Sequence, residues 1–283
     1  NGMAGFLAKL EAEKGLIAKL RGQSPQGSSY FDSHPPTPDR VARARGLAGK
    51  TKVANPIDGR DVFLSKIDGM VWGDSPGQGY ARDGVFAHAD LNIRYEVPDD
   101  FTLFNGPDKV MAFGPNDMAI VFDTGPKDYG GSMRDYIGQT WGRNVRLANL
   151  EAVEINGLEA ATATTRGASN GKTVDVRLVA IKGAQGHVFR LTFLSPPSQT
   201  AGRAEDFRRA TYSFRHMTAA ERSALGPLHI RLYQARRGDT LDSIAGRQMA
   251  VKKFAKERLV LLNGLSSDGD LTPGRWVKVI SSR

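Results

Sequence analysis

The sequence predicts an α+β protein built from three segments. Two amphipathic helical patterns occupy residues 1–54, alternating strands with flanking helices occupy residues 55–216, and a strand–helix–helix–strand pattern occupies residues 217–283. Apolar residues at every second position indicate strands, and apolar residues at 3.6-residue spacing indicate helices. Helices set between antiparallel strands are typical of the α+β class, and 283 residues are enough for two domains with an extra piece.

The composition excludes several kinds of protein. An apolar share of 40% and a charged share of 24% are those of a globular chain, and the lack of cysteine excludes disulfides and thiolate metal sites. No apolar stretch approaches the roughly 20 residues that a membrane span needs. The opening "NGMAGFLAKLEAEKGLIAKLRG" carries charges throughout and is not a signal peptide. We therefore expect any export signal to lie upstream of Asn1.

The net charge of +9 is unevenly distributed. Residues 1–54 carry +5, residues 55–215 carry −2 and residues 216–283 carry +6. A basic tail beside a neutral middle segment suggests an anionic partner such as nucleic acid, lipid headgroups or wall polymer. A solvated, lysine-rich helix face would give the same pattern, and both interpretations stay open.

Two helices are predicted in the first segment. The first spans residues 3–21, and the second lies in "SHPPTPDRVARARGLAG", with Thr37 as the N-cap, Pro38 as the first helical residue and Gly49 as the end. Two helices of this size do not bury a core alone. We expect them to pack on a segment that this sequence does not contain.

The middle segment predicts an antiparallel sheet. It begins with a short helix at "VFLSKI", a strand at "LNIRYEVP" and a hairpin around residues 114–116. A helix at "MRDYIGQTW" precedes strands at 147–155, 158–165 and 173–181, and the segment ends with "HVFRLTFLS" as a strand and "AEDFRRATYSFR" as a helix.

The last segment predicts a small βααβ fold. "LHIRLYQA" and "RWVKVI" are strands, "LDSIAG" is a helix capped by Asp239 or Thr240, and residues 250–262 are a second helix before a turn at Asn263-Gly264. Trp276 is expected in the core. The other predicted core residues are Leu232, Leu241, Ile244, Leu259, Leu262 and Val279.

No catalytic residue is predicted. The stretch "GDSPG" at residues 73–77 fits G-x-S-x-G, but Pro76 lacks the N–H that this elbow uses in its oxyanion hole, so a loop is expected. The five histidines are scattered and form no H-E-x-x-H, so a self-contained zinc hydrolase site is not encoded. The sequence has neither a Walker loop nor G-x-G-x-x-G, and nucleic-acid binding is the weakest alternative.

The stretch "GDTLDSIA…LVLLNGL…LTPGRWVKVI" resembles a LysM domain, a small module that recognises N-acetylglucosamine polymers. The resemblance implies glycan binding, with Asp239, Thr240, Asn263 and Gly264 as candidates. Most matching positions are caps, turns and core residues, which favour the fold more strongly than they favour sugar binding. The spacing from Ala245 to Asn263 is about one helical turn longer than usual, which puts the groove beside the second helix in doubt.

The first segment resembles the region after the catalytic helix bundle in periplasmic zinc metalloproteases of metallopeptidase family forty-eight. The motif includes a Phe-Leu-x-x-Leu helix and Ser/Thr-His-Pro-x-x-x-x-Arg, which here are "FLAKL" from Phe6 and "SHPPTPDR" from Ser33 to Arg40. The resemblance implies zinc in the parent protein, held by H-E-x-x-H and a glutamate upstream of Asn1, and no cofactor for this chain alone. It also implies that His34 could be a displaceable zinc ligand. Otherwise His34 is a turn residue before the helix.

The middle segment looks like a PsbP-type fold. The stretches that carry this resemblance are "LNIRYEVPDDFTLFN" and the "SFR" after the closing helix.

Together, the resemblances imply a non-catalytic accessory or docking region of an exported zinc metalloprotease, located in the periplasm or cell envelope. Its expected partners are the upstream catalytic segment and peptidoglycan or envelope proteins, without nucleic acid. The alternative is a non-enzymatic envelope protein that binds peptidoglycan or a protein partner through the LysM-like domain.

Overall fold

A computed structural model describes residues 2–20, 38–50, 59–169 and 171–282. It is an α+β structure, as predicted. By their contacts, Asn1–Gly73 and Pro227–Arg283 form one compact unit, here unit 1, and Asp74–Gly226 forms another, here unit 2. This division differs from the three-segment organisation that the sequence predicts, because the first helix contacts the last one. Thr37 and His34 lie outside the described residues.

The described residues form eight α-helices and fourteen β-strands. The helices are α1 (Gly2–Leu20), α2 (Pro38–Lys50), α3 (Arg60–Ile67), α4 (Met133–Asp135), α5 (Pro197–Tyr212), α6 (Ala219–Ala224), α7 (Leu241–Gln248) and α8 (Ala255–Asn263). The strands are β1 (Val71–Trp72), β2 (Tyr80–Arg82), β3 (Val85–His88), β4 (Ile93–Glu96), β5 (Thr102–Asn105), β6 (Val110–Phe113), β7 (Ala119–Thr124), β8 (Ala148–Ile155), β9 (Leu158–Ser169), β10 (Lys172–Lys182), β11 (Val188–Ser195), β12 (Arg215–His216), β13 (Leu228–Gln234) and β14 (Trp276–Ser281).

Unit 2 contains two antiparallel sheets. Seven strands pair in the order β5-β6-β7-β11-β10-β9-β8, and four pair in the order β12-β4-β3-β2. One face of the larger sheet packs with α5 and the smaller sheet around a cluster of aromatic rings that includes Phe122, Phe193 and Phe207. The other face packs on Tyr136 and Ile137. Since side chains alternate along a strand, the same strands contribute side chains to the hydrophobic clusters on both faces of the sheet.

The strands and the hairpin that the sequence predicts in the middle segment are present as β4 and β6 to β11, whereas β2, β3, β5 and β12 were not predicted. The turn between β6 and β7 is closed by a hydrogen bond from Gly114 N to Met118 O of 2.9 Å. The predicted helix at "MRDYIGQTW" is different in kind: α4 is only three residues long, and a π-helix follows over Tyr136–Trp141. Bonds such as Gly142 N to Ile137 O (2.7 Å) close its wider turns.

The C-terminal module, defined as residues 228–281, has the predicted strand–helix–helix–strand order. β1 joins its sheet, which has the order β1-β13-β14. The second helix begins at Ala255, later than predicted, because the Ala250 N–H donates to Ile280 O (2.7 Å) and Phe254 is left-handed (φ 55°). Leu241, Ile244, Leu259 and Val279 are buried as predicted, whereas Leu232 is half-buried and Leu262 packs at the edge of the core.

The expectation that the N-terminal helices need a partner outside the chain is wrong for α1. This helix contacts both α2 and α8. Its buried side chains are Ala4, Leu7, Leu16 and Leu20. Met3 and Phe6 of α1 and Leu47 of α2 remain exposed, with 66%, 57% and 59% of their surface accessible. The N-terminal segment is thus part of unit 1 and still presents apolar side chains.

Among the described residues, no helix combines the length and the apolar character needed to cross a lipid bilayer.

Candidate functional site in the C-terminal module

Asp239 holds the turn that leads into α7. Its carboxylate accepts hydrogen bonds from the Arg236 N–H (2.8 Å), the Tyr233 hydroxyl (2.8 Å) and the Arg247 guanidinium (2.6 Å). The backbone bond from Arg236 is the largest cause of the lowered pKa of Asp239. Only 6% of the side chain is accessible. The carboxylate therefore stabilises the turn and offers little surface to a ligand.

Thr240 is the N-cap of α7. Its hydroxyl accepts from the Ser243 N–H (3.1 Å), and the Ser243 hydroxyl accepts in return from the Thr240 N–H (2.9 Å). This reciprocal pair is a capping box, which stabilises the start of a helix. The Asp268 carboxylate accepts from the Leu241 N–H (2.7 Å) and ties the loop before β14 to the same helix end.

Asn263 joins the end of α8 to β14. Its side-chain amide donates to Leu259 O (3.0 Å) and Lys278 O (2.8 Å), and its carbonyl accepts from the Lys278 N–H (2.7 Å). Gly264 follows in the left-handed conformation (φ 62°), which glycine adopts most easily at a helix C-terminus. The turn Asn263-Gly264 therefore sets the register between helix and strand.

Each of the four glycan-binding candidates thus has a role in the fold. Asp239 and Thr240 lie at the start of α7, and Asn263 and Gly264 lie at the end of α8. Their hydrogen bonds are to neighbouring protein groups, so the LysM-like pattern in the sequence is explained by folding alone. Glycan binding by these residues stays a prediction.

A groove of about 290 Å³ lies between α1 and the C-terminal module. Phe6, Leu10 and Ile17 line it from α1, and Trp72 and Leu262 line it from the other side. Lys9, Arg258 and Lys278 also line the groove, together with Glu13, so its charged side chains are mainly basic. α1 comes close enough that a Cβ on Gly264 would meet Lys9 Cε at 3.1 Å. We call this the α1 groove.

Positive charge is concentrated at one side of the α1 groove. The pKa of Lys278 is lowered to about 8, first by burial of its amine and then by the charges of Lys9 and Arg60. Arg60 donates from Nη2 to Trp276 O (2.7 Å). The sequence predicts an anionic partner from the basic charge of residues 216–283 alone. Lys9 and Arg60 add to the positive charge around Lys278 because α1 and α3 fold against the C-terminal module.

Trp276 is not in the core, contrary to the sequence prediction. It is 39% exposed at the start of β14, opposite Gln234 on β13. An exposed indole beside basic groups offers both an apolar face and a polar edge to a ligand. In β14, Val277, Val279 and Ile280 are buried in the core, whereas Trp276 and Lys278 lie outside it.

The described residues hold no group of three or more His, Asp or Glu side chains arranged to bind a metal ion. His216 lies within hydrogen-bond distance of Asn92 O (2.8 Å) and His88 of Gly77 O (3.3 Å). His34, the candidate zinc ligand, lies outside the described residues, and its role stays a prediction. Ser75 of the G-x-S-x-G match donates to Gln78 Oε1 (3.1 Å) in a loop.

No family model and no curated protein matches this sequence. Solved structures that resemble part of the chain include a protein from Bacteroides thetaiotaomicron (TM-score 0.37, 16% identity, 54% of this chain and 53% of that one). A second is LpqN, involved in cell envelope biogenesis of Mycobacterium tuberculosis (TM-score 0.34, 18% identity, 44% of this chain and 83% of that one). A third is the cyanobacterial PsbP protein of Synechocystis (TM-score 0.36, 12% identity, 51% of this chain and 98% of that one). The chain thus spans about half of the Bacteroides protein.

These likenesses are too low to support a conclusion about ligands or activity. A PsbP protein is among the structures that resemble part of the chain. The metalloprotease and LysM resemblances stay predictions.

Replacing Asn263 with alanine is expected to lower the stability of the C-terminal module by about 2 kcal/mol, because three hydrogen bonds are lost and Lys278 N–H and O are left without partners. Asn263→Asp keeps the acceptor but loses both donors and brings a carboxylate against Leu259 O and Lys278 O, so a loss at least as large is expected. Hydrogen exchange of the β14 amides measures both effects. Asn144→Ala, an exposed asparagine of unit 2, is the control, and equal exchange in Asn263→Ala and wild type would contradict the assigned role.

Proposed function

We propose that this chain is the non-catalytic accessory region of an exported bacterial zinc metalloprotease and that it positions the enzyme at the cell wall or at its substrate. The observation that carries this proposal is the α1 groove, whose exposed apolar side chains belong to the helix that resembles the metalloprotease sequence. Phe6 and Leu10 lie within the resembling motif, and both line the groove. An exposed apolar groove on a folded unit is typical of a surface that binds another protein segment.

The proposed occupant of the α1 groove is the catalytic segment upstream of Asn1. Phe6 is 57% exposed and Leu10 36% exposed, so both have apolar surface left to bury. Lys9 and Lys278 beside them favour a segment with acidic side chains around an apolar centre. In this arrangement the upstream segment holds the zinc and performs the hydrolysis, and the present chain contributes binding and orientation.

The proposed location is the periplasm or the cell envelope, and the second proposed partner is peptidoglycan or an envelope protein. The C-terminal module would make this contact. The expectation follows from the basic charge of residues 216–283 and the LysM-like order of its elements.

Mass spectrometry of the native protein from its source tests the main proposal. Peptides upstream of Asn1 that contain H-E-x-x-H, on the same polypeptide as residues 2–282, are the expected result. A native polypeptide with no H-E-x-x-H would contradict it, whatever its length.

The second candidate is a non-enzymatic envelope protein that binds peptidoglycan through the C-terminal module. The exposed Trp276 favours it, because an exposed indole beside basic groups is suited to a polar polymer with apolar faces.

Retention of the whole chain on insoluble peptidoglycan tests wall binding. Trp276→Ala is expected to reduce retention severalfold and to leave the fold unchanged, since the side chain is partly exposed. Phe63→Ala is the control, because Phe63 is an exposed aromatic residue of α3 in the same unit. Retention that is equal in all three proteins, or no retention of the wild type, would contradict a role for Trp276 in wall binding.

A further inference from the structure

A second groove lies within unit 2, where α5 packs on the large sheet. Its volume is about 580 Å³, which is within the range of about 300–1,000 Å³ that is typical of small-molecule sites. The buried rings of Phe193 and Phe207 lie 5.1 Å apart and line the groove, together with Leu147 and Val176. We call it the α5 groove.

The charged groups of the α5 groove are mainly basic. Arg146, Arg166 and Arg177 line it, and Asp175 also lines it. The Asp175 carboxylate is already engaged, because it accepts from Arg166 Nε (2.7 Å) and from the Thr200 hydroxyl (2.8 Å). An excess of positive charge beside apolar walls therefore remains for a ligand.

Arg177 is the half-buried cation of this groove. It lies opposite Thr164 on β9 and Phe193 on β11, and its guanidinium is 5.9 Å from the centroid of the Phe193 ring. Its Nε donates to the buried Thr162 hydroxyl (3.1 Å), which fixes the plane of the guanidinium. Within the part of the chain that the structure describes, no carboxylate pairs with Arg177. Burial lowers the pKa of Arg177, because a desolvated cation is costly, and the charges of Tyr212 and Glu151 offset only part of this effect.

Arg190, on the opposite face of the same sheet, is an arginine of unit 2 that is fully paired with a carboxylate, and it serves as the comparison for Arg177. Its Nε and Nη2 both donate to the Asp123 carboxylate at 2.7 Å, and Nη1 lies 3.4 Å from the Tyr136 hydroxyl. The Trp141 ring lies 5.2 Å from the guanidinium. Both arginines have an aromatic neighbour, but only Arg190 has a carboxylate in its fork.

We propose that the α5 groove binds a small organic anion with an apolar chain, whose carboxylate lies in the fork of Arg177 and whose chain lies against Phe193 and Phe207. A planar guanidinium binds a carboxylate through two parallel hydrogen bonds, and Nη1 and Nη2 of Arg177 are the groups that would donate them. The position of Arg177 above the Phe193 ring places the charged and apolar parts of the ligand side by side. This site lies outside the elements that carry the proposed docking function.

Octanoate and 1-octanol are the probes that test the proposal, because they share the alkyl chain and differ in charge. Octanoate added to the ¹⁵N-labelled whole chain is expected to give saturable shifts at the amides of Thr164, Arg177 and Thr200. 1-Octanol is expected to bind at least about tenfold more weakly, since it lacks the charge-assisted pair of hydrogen bonds.

Two variants separate the charge from the cavity. Arg177→Gln is expected to weaken octanoate about tenfold, to the level of 1-octanol, and Ala204→Phe is expected to block both probes because Ala204 lines the groove on α5. Arg134→Gln, an exposed arginine on α4, is the matched control and is expected to leave binding unchanged. Unperturbed spectra away from the groove show that each variant is folded.

Three results would overturn the proposal. They are equal affinity for octanoate and 1-octanol, octanoate binding that Arg177→Gln leaves unchanged, and shifts confined to residues outside the α5 groove. If Arg177→Gln fails to fold, unchanged octanoate binding in Ala204→Phe overturns the proposal by itself.

Discussion

The packing of α1 on α8 joins the first and last parts of the chain, and the surface of unit 1 depends on it. Neither part is large: α8 has nine residues, and β13 pairs with β14 in a small sheet. Small sheets and short helices are marginal alone, so each added apolar face matters. α1 supplies one such face with Leu16 and Leu20. It also creates the α1 groove and brings Lys9 beside Lys278, so the proposed docking surface exists only when α1 is in place.

The two faces of the large sheet in unit 2 differ: one carries a paired arginine, and the other carries the α5 groove. On one face, Arg190 is paired with Asp123 and packs beside the π-helix. On the other face, most of the sheet is covered by α5 and the aromatic cluster, and the α5 groove remains open beside them. Arg177 occupies this groove with a hydroxyl and an aromatic ring as partners. Arg177 is thus a half-buried cation that the proposed external anion would pair with.

Local signals predicted most of the fold, whereas the sites depend on distant residues. Alternation located β9 and β10, and the capping residue Thr240 located α7. The short strands β1, β2, β3, β5 and β12 were missed because two to four residues carry no clear period. The late start of α8 follows from the left-handed Phe254, which periodicity does not report. The lack of a carboxylate partner for Arg177 is a property of the assembled sheet. The α1 groove likewise joins segments that are more than 200 residues apart in the sequence.

The most direct test of this account is hydrogen exchange of the α8 amides in Leu16→Asp compared with Met3→Asp. Leu16 is buried and lies beside Val260 and Leu261, whereas Met3 is 66% exposed. If α1 is held on α8, a charge at Leu16 releases it, and the amides of α8 exchange faster than in the wild type, while Met3→Asp has no effect. Equal exchange in all three proteins would mean that α1 does not stabilise α8, and the α1 groove would then be no basis for docking.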